Sequence, residues 1–84
     1  MPAANLKWTP GAIACFRAYP WPDWREAARI DAAILRFAEQ GEGDVEQVAG
    51  DLRGFRLRVP PYAVRFEIDP EGTLITILGV FREG

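Results

Sequence analysis

The 84-residue chain predicts an α+β fold: a two-helix hairpin packed on a three- to four-stranded, mainly antiparallel sheet. Three observations predict it. The run Phe55-Arg56-Leu57-Arg58-Val59 and the run Tyr62-Ala63-Val64-Arg65-Phe66-Glu67-Ile68 alternate apolar and charged residues on either side of Pro60-Pro61, the pattern of a half-buried hairpin. The stretch from Pro22 to Gly41 carries apolar residues at helical spacing. A third, mostly apolar stretch, Thr73 to Val80, follows a Pro/Gly turn.

The elements follow in order. Leu6-Lys7-Trp8 is a short alternating fragment that predicts a first strand over 5–8. Thr9-Pro10 then starts a helix, with Thr9 as N-cap and Pro10 at the first helical position, where a missing N–H costs nothing. This helix should cover 10–18 and turn Ile13, Cys15 and Phe16 inward before Pro20 ends it. A second helix is expected over 22–40, with Asp23 complementing its positive end and Gly41 stopping it. Its apolar face gathers Trp24, Ala27, Ala28, Ile30, Ile34, Leu35, Phe37 and Ala38, against Arg25, Arg29, Arg36 and Gln40 on the other side. Asp31 falls inside that apolar face, where it needs a partner such as a nearby Arg.

Gly41-Glu42-Gly43-Asp44 links the helices to the sheet. Val45 to Gly54 reads as an extended crossover holding one helical turn or a short strand. Strands are then expected over 55–59 and 62–68. Asp69-Pro70-Glu71-Gly72 forms a β-turn, and a last strand should cover 73–80. Strand parity places Phe55, Leu57, Val59, Tyr62, Val64, Phe66 and Ile68 on one face, and Arg56, Arg58, Ala63, Arg65 and Glu67 on the other. Continued into the last strand, the same parity sends Ile75, Ile77 and Phe81 inward and Thr76, Leu78, Val80 and Arg82 to the arginine face.

Composition bounds the function. A hydrophobic fraction of 49% with three Trp suffices for one small packed domain over 1–84, and no segment approaches the roughly 20 apolar residues of a membrane span. No export signal is recognisable at the start and Cys15 has no partner for an internal disulfide, so a cytoplasmic protein without membrane association is expected. One Cys and no His cannot build a zinc site; neither metal nor cofactor is expected. Net charge −2 gives no global attraction to nucleic acid, so anion binding must come from a local patch. Arg56, Arg58, Arg65 and Arg82 form the candidate anion site. Arginine stays protonated and cannot shuttle protons near neutral pH.

A two-residue Pro60-Pro61 connection would set Val59 opposite Tyr62, Arg58 opposite Ala63 and Arg56 opposite Arg65. Two like charges in that position call for an anion between them, from Glu67 as diagonal neighbour or from a bound phosphate. Tight turns favour positive φ, which Pro cannot adopt, so either the register differs or Pro61 is cis.

The string Phe-Arg-Leu-Arg-Val-Pro-Pro-Tyr-Ala-Val-Arg-Phe-Glu-Ile-Asp, followed by Leu-Ile-Thr-Ile-Leu-Gly-Val-Phe-Arg-Glu, resembles the C-terminal hairpins of RelE/ParE-type toxins of bacterial toxin–antitoxin pairs. The resemblance is closest on the hairpin. It implies a toxin that arrests growth by RelE-like inhibition of translation through messenger RNA cleavage, or alternatively a non-enzymatic ParE-like inhibitor of DNA gyrase or a member that only binds its antitoxin. The partners implied are a cognate antitoxin and either the ribosome with messenger RNA or DNA gyrase. In RNA-cleaving members, cationic residues before and after the turn and an arginine closing the last strand hold the RNA phosphate. The resemblance carries these roles to Arg56, Arg58 and Arg82 as catalytic residues, with Arg65 joining them in RNA binding.

Three departures stand out: Ala63 where the family has arginine, Pro-Pro where it has Gly-Asp, and no tail bearing a catalytic Tyr or His. Attack by a ribose 2′-hydroxyl needs a base and an acid. Glu67 and Tyr62 are the nearest candidates, and parity turns Tyr62 inward. The face therefore offers charge stabilisation without an evident proton carrier. Elsewhere, Tyr19, Trp21 and Trp24 read as core packing under a Pro-rich corner, the Arg25/Arg29/Arg36 stripe as a solvated helix face, and Cys15 as buried and inert.

Overall fold

The structure, a computed structural model, describes residues 4–83. Helix α1 (Pro10–Ala18) follows strand β1 (Asn5–Trp8), and α2 (Trp24–Gln40) leads through β2 (Asp44–Gln47) to β3 (Gly54–Val59), β4 (Tyr62–Ile68) and β5 (Leu74–Arg82). The strands form one five-stranded sheet in the order β1-β5-β4-β3-β2, with β1 parallel to β5 and the other pairs antiparallel. The fold class is the expected one, with one strand more. The added strand, β2, comes from the crossover segment, where Asp44 and Glu46 lie directly opposite Arg58 and Arg56 as favourable cross-strand charge pairs.

Local chemistry explains the helix ends. The Thr9 hydroxyl accepts from the Ala12 N–H at 3.0 Å, satisfying a donor that the first helical turn leaves orphaned. The Asp23 carboxylate accepts from the Arg25 N–H at 2.9 Å, so Asp23 is the cap and α2 begins at Trp24 rather than at 22. Gly41 ends α2 at φ 70°, its N–H donating to the Phe37 carbonyl at 2.8 Å; only glycine takes that left-handed conformation without penalty.

Both helices cover one face of the sheet. Ala12 from α1 and Ile30, Ile34 and Ala38 from α2 meet Leu57, Val59, Tyr62, Val64, Phe66, Ile75, Ile77 and Val80 in one apolar cluster. Full burial of each large side chain contributes about 1.5–3 kcal/mol. Trp21 ties the interhelical corner to the start of β4: its ring lies 5.0 Å from that of Tyr62, and its indole N–H donates to the Phe16 carbonyl at 2.9 Å.

Several expected inward residues are not in this core. Trp24 is 75% exposed, Leu35 and Ile13 are exposed, and Ala28 and Cys15 are also on the surface. The contact stripe of each helix is thus narrower than its run of apolar residues: α2 buries Ile30, Ile34 and Ala38, spaced four apart. Asp31 is exposed and needs no buried partner. The Cys15 thiol, expected to be buried, lies at the surface and donates to the Val80 carbonyl at 3.3 Å.

The hairpin register is the one the two-residue connection predicts. Val59 pairs with Tyr62, Arg58 with Ala63 and Arg56 with Arg65, and the Pro60-Pro61 bond is cis. The last strand departs from simple parity. Phe66 pairs with Ile77 but Arg65 pairs with Gly79, so Leu78 is an extra residue and β5 carries a bulge. Beyond it every side chain changes face. Val80, opposite Val64, is buried, while Phe81, opposite Ala63, is half-exposed on the far side of the sheet. Arg82, opposite Tyr62, projects to the helical side. The expectation that Phe81 points inward and Val80 and Arg82 outward is therefore corrected by this one inserted residue.

Candidate functional site

The sheet face away from the helices is built from β2, β3, β4 and the end of β5. Alternation on β3 and β4 brings Arg56, Arg58 and Arg65 to it. The structure thus unites three of the four candidate arginines and separates the fourth: Arg82 is exposed on the helical side and makes no ion pair among the described residues.

The three guanidinium groups are held by carboxylates of the chain itself. Arg56 Nη1 lies 2.8 Å from Glu83 Oε2 and 3.3 Å from Glu46 Oε1. Arg58 Nη2 lies 2.7 Å from the same Glu46 oxygen, and its Nε is 3.9 Å from Glu83 Oε1. Glu46 and Glu83 therefore each bridge two arginines. Arg65 is met by Asp51 at 3.3 Å, from the loop before β3. Glu67, the expected mediator, takes no part in an ion pair among the described residues; the negative charge comes from β2, from that loop and from the residue after β5.

Electrostatics follow the geometry. The Glu46 hydrogen bond, reinforced by its charge, raises the already high pKa of Arg58. The Asp51 carboxyl is held below its ordinary value first by the Arg53 backbone N–H and then, against a burial effect that raises it, by the Arg65 guanidinium. Arg56 Nε and Arg65 Nε are both buried without a hydrogen-bond partner, so each guanidinium has unused donor capacity.

Tyr62 is 1% exposed in the core beneath the sheet, in agreement with its parity. No cluster of three potential metal-ligating side chains occurs among the described residues, and no helix is long and apolar enough to cross a membrane.

Glu46, Asp51 and Glu83 are residues of this face that the sequence did not single out, and Phe81 is one that strand parity had placed on the other face. The period-two pattern Asp44-Val45-Glu46 carried a signal for the first. Phe81 and Glu83 carried none, because their orientation depends on the bulge.

This architecture, two helices on one face of a mixed five-stranded sheet, is shared with chains of solved RelE and YoeB structures. Among solved structures, the toxin-antitoxin complex RelBE2 from Mycobacterium tuberculosis contains a chain that matches with a TM-score of 0.67 and 24% identity, over 99% of this chain and 94% of that one. A chain of the RelB-RelE antitoxin-toxin complex from Methanococcus jannaschii matches with a TM-score of 0.70 and 17% identity over 90% and 88%. YoeB, solved as a dimer from Staphylococcus aureus, matches with a TM-score of 0.68 and 16% identity over 92% and 93%. No protein-family profile and no curated protein sequence matches the chain. At these identities the likeness establishes a shared fold.

Proposed function

We propose that this chain is the growth-arresting half of a toxin–antitoxin pair and acts on messenger RNA at the ribosome, with Arg56, Arg58 and Arg65 gripping backbone phosphate. The observation that carries this reading is the convergence of three guanidinium groups on one exposed sheet face of a fold shared with RelE chains from toxin–antitoxin complexes. Planar guanidinium pairs suit phosphate oxygens, and stabilising charge at a phosphate in the transition state is a contribution that fixed arginines supply. The RelE structures from two organisms are complexes with their antitoxins; by analogy a cognate antitoxin restrains this chain.

A second reading, a non-enzymatic inhibitor of DNA gyrase or a protein that only binds its antitoxin, is favoured by a different observation. Glu46, Glu83 and Asp51 already neutralise the arginines, and Tyr62, a candidate proton carrier, is buried in the core on the other side of the sheet. Induced expression in bacteria, with mapping of messenger RNA 5′ ends, separates the two. Cuts inside translated codons that disappear with Arg56→Ala are the expected result. Growth arrest with intact messages and gyrase-linked DNA breaks would replace the first reading with the second.

A further inference from the structure

A cleft of about 370 Å³ opens in the helical layer, walled by Trp8 at the end of β1, by Ile13 and Phe16 of α1, and by Ala27 and Ala28 of α2. The space is left because α2 presents alanines where α1 presents larger side chains, and two methyl groups cannot fill the gap beside Ile13 and Phe16. The Phe16 ring meets Trp8 edge-on, with ring centroids 5.3 Å apart. Both are half-buried, whereas Ile13 stays 39% exposed at the rim. One cation and one anion complete the lining: Arg17 from the α1 wall and Asp31 from the α2 wall. Neither forms an ion pair among the described residues, with the other or with any third group.

An unpaired charge of each sign beside an apolar wall defines the chemistry of an occupant. Clefts that hold small molecules measure about 300–1,000 Å³ and combine mostly apolar walls with a few placed polar groups. A ligand of net positive or net negative charge would meet one like charge here. An apolar side chain of a bound polypeptide comes with a neutral backbone and would leave both charges unmatched. A free amino acid supplies both missing partners at once. Its carboxylate accepts from the Arg17 guanidinium, its ammonium donates to the Asp31 carboxylate, and an aromatic or branched side chain is covered by Trp8, Phe16 and Ile13. We propose that this cleft between α1 and α2 is a binding site for a small zwitterion, a free α-amino acid with an apolar side chain. The site is remote from the arginine face, and its failure would leave the RNA-directed reading untouched.

The test is isothermal titration of the full chain with L-phenylalanine and L-leucine, set against N-acetyl-L-phenylalaninamide, which keeps the ring and lacks both charges. Saturable binding of at least one free amino acid is expected, roughly tenfold or more tighter than the amide, which loses two charged contacts. Arg17→Gln and Asp31→Asn, both at exposed positions, should each weaken it about three- to tenfold, the span of one net hydrogen bond. Ala28→Leu should abolish it by filling the cleft. That position is exposed and leucine is a good helix former, so the fold is kept, as circular dichroism checks. Folded, unaltered protein that binds neither amino acid would overturn the site. Binding of the amide as tightly as of phenylalanine, indifferent to Arg17→Gln and Asp31→Asn, would also overturn it and make the cleft a seat for an apolar side chain of a protein partner.

Discussion

Arg56 and Arg65 occupy one register position across β3 and β4, and each is held by a carboxylate from outside the hairpin: Arg56 by Glu83 and Arg65 by Asp51. Like charges directly opposite on antiparallel strands repel. The chain resolves this by recruiting counter-ions from its two flanks, so the face is cationic by residue type on the hairpin yet closely balanced in charge. Phosphate binding there, as proposed above, would be an exchange of partners in which it replaces a carboxylate already bound.

Acid should weaken the fold through three aspartates. Asp23 is held below its ordinary value by its bonds from the Arg25 side chain and backbone, Asp51 first by the Arg53 backbone N–H, and Asp69 first by the Leu74 backbone N–H. A depressed folded-state pKa means that the unfolded chain binds more protons, so stability rises with pH. The contribution is complete above the unfolded value of about 3.8 and is lost as pH falls through the lower folded values. Thermal melts across this acid range should show a falling midpoint, and Asp69→Asn should flatten the slope, since its carboxylate also accepts from the Thr73 N–H and hydroxyl.

Two residues of the α2 apolar run should respond very unequally to truncation. Ile34→Ala, at a site 2% exposed, should cost about 2–5 kcal/mol in urea denaturation through lost burial and the cavity left behind. Trp24→Ala, at a side chain 75% exposed, should change stability by no more than about 0.5 kcal/mol.

Gly41→Ala isolates a backbone effect. A Cβ at this position meets nothing within 4 Å, so the substitution creates no clash and the only penalty is the φ of 70°. A loss of about 1–2 kcal/mol in denaturant is expected. No loss would show that α2 can end without the left-handed cap.

Gly54→Ala tests the support of Arg65. A Cβ on Gly54 would collide with the Asp51 carboxylate, so Asp51 must leave its position and release both the Arg53 N–H and the Arg65 guanidinium. The expected outcome is a fold retained by circular dichroism, together with loss of Asp51's share of the acid-side stability slope. Asp51→Asn should reproduce that loss without disturbing Gly54.

Much of the chain was legible because its signals are local. Thr9-Pro10 capped α1 as written, alternation around Pro60-Pro61 set the hairpin and its register, and Asp69-Pro70-Glu71-Gly72 made the turn whose Gly72 N–H bonds the Asp69 carbonyl at 2.9 Å. The four-residue strand β2 was harder to recognise, because so short a run alternates too briefly to be distinguished from a loop until β3 is there to pair with it.

Residue type and spacing were enough to determine two helices, an arginine-bearing hairpin and a mainly antiparallel sheet, since capping, helical period and strand alternation act between neighbours in the chain. Only the tertiary structure decided which apolar residues of each helix reach the sheet, and which side of β5 carries Phe81, Arg82 and Glu83. Those outcomes depend on contacts between distant segments. The extra residue at Leu78, accommodated when β5 pairs with β4, inverts everything after it and exchanges the expected fourth arginine for an aromatic ring and a carboxylate.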